Sequence, residues 1–134
     1  MILILLKIAV DFRRYKLNKI ALLLEGLIFI ISGARISSDI VLGEKTRFAY
    51  NGMSCLIVKG TVIGKSCLIG ARVTTGRQFP YKKVPKIGDN VVIAPHTLVN
   101  KNVPKGSIVA GVPFKIIGNT DSLNYNILEN EQYL

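Results

Sequence analysis

Apolar side chains return every sixth position from Ile36 onward, and that spacing limits the open architectures more than any other feature. Ile36, Leu42 and Phe48 form one series; Ile57, Ile63 and Ile69 form a second. Thr75 continues it, and Ile87, Ile93 and Val99 resume the phase twelve residues later. The next residue is small at Gly43, Ala49, Gly64, Gly70, Gly76, Gly88 and Ala94. A period of six matches neither the 3.6 of an α-helix nor the 2 of a continuous strand. It matches a triangular coil whose sides are short strands, whose corners are turns, and whose ladder bonds run between successive coils. One aliphatic residue per side is expected to point inward, with the small residue after it easing a tight corner. A sandwich would show alternation broken by turns every eight to twelve residues, which is absent. The expected fold is an all-β solenoid, a parallel β-helix of about four coils, preceded by a short helical segment.

The period slips between Phe48 and Ile57, where nine residues replace six, so the stretch YNGMSCL holds an insertion of three. Residues 77–86, RQFPYKKVPK, carry polar and proline-containing loop chemistry and are expected to protrude. Four coils lie near the lower limit for a free-standing solenoid, so self-association is expected.

The chain divides into residues 1–35, 36–118 and 119–134. The first part holds two aliphatic runs around a basic stretch (Arg13, Arg14, Lys16, Lys19), expected as two short helices. Neither run reaches the ~20 residues of a bilayer span. The segment is expected to pack in an oligomer or cap the solenoid, with peripheral contact to an anionic membrane surface as the other use. Residues 1–118 carry all 18 Lys and Arg against five acids, a balance of +13; the tail adds three acids and no base. A basic body points to an anionic partner. Few aromatics interleave with the bases and no nucleic-acid motif is present, so no nucleic-acid partner is expected. Cys55 and Cys67 sit in apolar surroundings and read as free core thiols. A single histidine and no close cysteine pair leave no metal site.

Three stretches carry a family resemblance: VIGKSCLIGARVTTG (62–76), VPKIGDNVVIAP (84–95) and NVPKGSIVAGVPFKIIG (102–118). They resemble the serine acetyltransferase-like branch of the hexapeptide-repeat acyltransferases, over roughly three-fifths of the chain. The resemblance implies a left-handed β-helix, a homotrimer, and acetyl-CoA bound as co-substrate between neighbouring copies. It implies cofactor contacts at Gly76 and Pro95, with Lys101, Lys105 and Lys115 available to the CoA phosphates. It also implies a cytoplasmic O-acetyltransferase whose acceptor is a hydroxyl of a carbohydrate or cell-surface glycan precursor.

The departures fall on the catalytic positions. The histidine that serves this family as general base aligns with Asn51, or with Tyr50 if the gap is placed one residue away. The second histidine of serine acetyltransferases, before P-K-I-G, is Val84, which argues against serine as acceptor. About one coil is missing between Val99 and Pro104. Asn51 can donate a hydrogen bond but cannot remove a proton. The lone imidazole, His96, stands where family members carry a corner glycine and is the alternative base. A catalytically degenerate β-helix with a structural or binding role is the competing expectation.

Overall fold

A computed structural model describes residues 1–76 and 83–122. Helices α1 (Ile2–Arg14) and α2 (Asn18–Ser32) precede the strands. The first coil is β1 (Arg35–Ile36), β2 (Val41–Leu42) and β3 (Arg47–Phe48). The second is β4 (Leu56–Ile57), β5 (Val62–Ile63) and β6 (Leu68–Ile69), the third β7 (Thr74–Thr75), β8 (Lys86–Ile87) and β9 (Val92–Ile93). The fourth holds β10 (Leu98–Val99), a single bridge from Val103 to Ile87, and β11 (Ser107–Ala110). Stacking these coils makes three parallel faces, β1-β4-β7-β10, β2-β5-β8 and β3-β6-β9-β11. Strand β12 (Lys115–Asn119) then reverses and pairs antiparallel with β11. The architecture is a left-handed parallel β-helix of four coils behind two helices.

The repeat residues form the core as the period requires, since Ile57, Ile63, Ile69, Ile87 and Ile93 are all buried in one cluster. Two details differ from the sequence reading. First, each side buries a second residue two positions before the aliphatic one: Ala34, Cys55, Val73 and Thr97 on one face, Thr46, Cys67, Val91 and Ser107 on another. A two-residue strand followed by a turn still alternates in and out, so the i−2 side chain also points inward. Its polar members are satisfied locally; Thr61 and the inward Thr75 share a 3.1 Å hydroxyl contact, and Thr75 Oγ1 also accepts the Val58 N–H. Both cysteines are free, and burial pushes their thiols up from the usual range.

Second, the corner glycines answer to crowding between coils. A Cβ on Gly43 would stand 2.2 Å from the Gly64 carbonyl oxygen, and one on Gly88 would stand 2.6 Å from the Lys105 nitrogen. The left-handed backbone lies two residues later, at Lys45, Ser66 and Asn90, with φ from 55° to 61°.

The twelve-residue step from Thr75 to Ile87 spans one face. Ile87 pairs with Ile63 on the second face, directly after the Thr75 face. Six residues are therefore extra at this corner, and residues 77–82, most of the expected loop, lie outside the described residues.

The helices close the first coil. Ile2 and Leu6 of α1 and Ile28 of α2 join the core cluster. Glu25 Oε1 accepts hydrogen bonds from the Ser38 N–H (2.5 Å) and hydroxyl (2.6 Å), and Arg13 donates to Ser38 Oγ at 3.1 Å. This network ties both helices to the turn between β1 and β2. No helix among the described residues is long and apolar enough to cross a membrane. At the far end Phe114, 4% exposed, plugs the prism beneath Leu98, whose carbonyl accepts the Phe114 N–H.

Candidate functional site

The three-residue insertion forms a 3₁₀ turn, Ala49–Gly52, between β3 and β4. Tyr50, Asn51 and Gly52 are left-handed in succession, with φ of 50°, 59° and 66°. Consecutive left-handed residues are rare outside glycine, and such strain persists where the surroundings hold it. Here α1 holds it. The Met1 nitrogen and the Ile2 N–H donate to Asn51 Oδ1 at 3.2 Å and 3.1 Å. The residue aligned with the family base thus ties down the start of a helix, and its oxygen is engaged.

Beside Asn51 lies a pocket of about 510 Å³, between the first turns of α1 and strand β3. Ile2, Ile4 and Phe48 supply apolar lining, and Lys7, Lys45 and Arg47 supply charge. Sequence reasoning missed these three cations. Lys45 and Arg47 flank an inward threonine, which signals that they share an outer face, but nothing periodic says where α1 docks.

The remaining predicted residues divide among the prism's edges. Asn51 and His96 share one edge: the Arg72 N–H donates to Met53 O, and the His96 N–H donates to Ala71 O one coil further. Two coil spacings separate them by about 10 Å, too far to act on one proton within a single copy. Pro95 and His96 are exposed, and His96 is itself left-handed at φ 63°. Gly76 and Lys101 belong to a second edge, where the Gly76 N–H donates to Val99 O. That bond commits the N–H, so any backbone contact from Gly76 to a ligand goes through its carbonyl. A Cβ at Gly76 would meet nothing within 4 Å. Lys105 stacks under Gly88 on the third edge, and Lys115 opens β12. Lys101 Nζ sits 5.3 Å from the centroid of the Phe114 ring, a cation–π distance. Tyr50 is exposed, and Val84 packs near Gly60.

No family profile matches the chain. Over 55 residues, 41% of this chain and 31% of the relative, it is 46% identical to the Bacillus subtilis (strain 168) protein "Putative acetyltransferase YvoF". Among solved structures, serine acetyltransferase from Brucella abortus strain S19 superposes with a TM-score of 0.73 at 23% identity, covering 89% of this chain and 56% of that one. A serine acetyltransferase in complex with CoA gives 0.69 at 19% identity, covering 87% and 55%. The chain spans about half the length of the solved structures it matches. It has the hexapeptide-repeat transferase fold of these proteins.

Proposed function

We propose that the chain is an acetyl-CoA-dependent O-acetyltransferase acting on a hydroxyl of a carbohydrate or cell-surface glycan precursor, in the cytoplasm and as a homotrimer. The likeness to the CoA-bound transferase, over 87% of this chain, carries this reading. The division of the candidate residues between edges supports the trimer. A groove between two copies would set Gly76 and Lys101 of one against Asn51, Pro95 and His96 of the next. Lys105, on the third edge, stands off such a groove, and Lys115 opens β12. The outer side of α2, with Leu23 67% and Ile30 78% exposed, offers apolar surface for assembly. Sedimentation should give a trimer. A monomer of 14.7 kDa would count against it, and recruitment to anionic vesicles would assign α2 to a membrane surface instead.

Transfer needs a proton acceptor at the hydroxyl. Asn51 cannot serve, so the proton passes to His96 or to a group the acceptor brings. His96→Ala should lower kcat by about 10²–10⁴-fold with CoA affinity nearly intact if His96 is the base. Calorimetry with acetyl-CoA, followed by thiol release over a panel of hydroxyl acceptors, tests the whole reading. No heat and no thermal shift at millimolar acetyl-CoA would favour the second reading, a catalytically degenerate β-helix. The engagement of Asn51 Oδ1 by α1 favours that second reading.

A further inference from the structure

We infer that the pocket between α1 and β3 is an anion-reading site, which takes the phosphate or carboxylate of an acidic acceptor. Only the word acceptor rests on the transfer reading above; anion binding stands on the pocket itself.

Its volume, about 510 Å³, suits a sugar-sized ligand. Lys7, Lys45 and Arg47 line it, and no carboxylate among the described residues does. Among the described residues two bases pair with acids, Arg13 with Glu25 and Lys59 with Asp39. The three pocket cations, like most other described bases, have no such partner among the described residues. Like charges gathered around one opening repel, and the potential they create draws in negative charge.

The polar groups point the same way. Thr46 Oγ1 donates to the Gly64 carbonyl, and Asn51 Oδ1 accepts from the Met1 nitrogen and the Ile2 N–H. With that oxygen fixed toward α1, the Asn51 Nδ2 amide is a donor with no acceptor among the described residues. What remains uncommitted is three cations and an amide, all donors. Such a lining selects a ligand rich in acceptors, and the guanidinium of Arg47 suits the two oxygens of a phosphate or carboxylate. Ile4 and Phe48 give the apolar face of a sugar ring a surface to rest on.

The test uses the full chain with labelled isoleucine methyl groups, titrated with glucose 1-phosphate, glucuronate and glucose. Glucose 1-phosphate or glucuronate should shift the Ile2 and Ile4 methyls, and glucose should not; which anion shifts them further names the source. Arg47→Gln and Lys7→Gln should each weaken that binding about tenfold, with the core Ile93 methyl unmoved as the sign of an intact fold. Lys59→Gln, a charge removed from the second edge between β4 and β5, should leave binding unchanged. Charged and neutral sugars shifting these methyls alike, or none of them doing so at millimolar concentration, would overturn the site. So would CoA competing for the same signals, since the anion read there would then belong to the donor. A chain that turns over acetyl-CoA without charge-dependent shifts sinks the pocket alone. One that binds glucose 1-phosphate but never acetyl-CoA sinks the transfer reading and keeps the pocket.

Discussion

Both ends of the prism expose the last rung of an aliphatic core, and they are closed by different means. The C-terminal end is stopped by one phenylalanine and one reversed strand, Phe114 and β12. The N-terminal end is covered by two helices, pinned by the Arg13–Glu25–Ser38 network and by Asn51. Among the described residues one ring and one strand close the last coil, so the helical end carries more structure than the other. The surplus is where the strained turn and the charged pocket lie.

The sharpest way to break this comparison is Phe114→Ala, which opens the C-terminal end. Removing a buried aromatic should lower the unfolding free energy by about 3–5 kcal/mol, read from urea transitions. A loss below about 1 kcal/mol would mean that β12 closes the end without the ring. Next is Glu25→Ala, which leaves the Ser38 N–H and hydroxyl without their acceptor and Arg13 without its ion-pair partner. Because the Arg13 and Glu25 side chains are roughly a fifth to a quarter exposed, the expected cost is about 2 kcal/mol. A Glu25→Ala, Ser38→Ala cycle should show strong coupling, and additivity would contradict the network. The smallest effect belongs to Asn51→Ala, which removes the acceptor at the start of α1. It should cost about 1 kcal/mol, visible as a modest fall in Tm. An unchanged Tm would show that α1 is held by Ile2 and Leu6 alone.

The solenoid was legible because a period of six survives noise: Ile57, Ile63 and Ile69 declare three faces in thirteen residues. The second inward column was not, because Cys55, Thr61, Cys67 and Val73 share no polarity, and only packing reveals their common direction. The corner glycines were visible, but their cause was misread; crowding between coils leaves no trace in a one-dimensional pattern. Thr75 to Ile87 was ambiguous for a related reason, since twelve residues are equally two sides or one side with a loop. The candidate site suffered most. Its catalytic and cofactor positions came from alignment to a family, and alignment does not say that Asn51 Oδ1 is engaged by α1. Lys7, Lys45 and Arg47 were unremarkable in a basic chain until the docking of a helix brought Lys7 to the other two.

The corners have an implication for how such a chain can change over generations. Three extra residues follow Phe48 and six follow Thr75, yet the ladder beyond each resumes in register, with Leu56 opposite Thr74 and Ile63 opposite Ile87. Hydrogen bonds join coil to coil, so no strand depends on the length of the turn before it. Insertions and deletions at these two corners therefore leave the ladder in register, whereas a single residue gained inside a two-residue strand would turn its core side chain outward. Chain length here is free to drift at the vertices and fixed along the sides, which makes the vertices the places where foreign peptides can be spliced in and new specificities can arise.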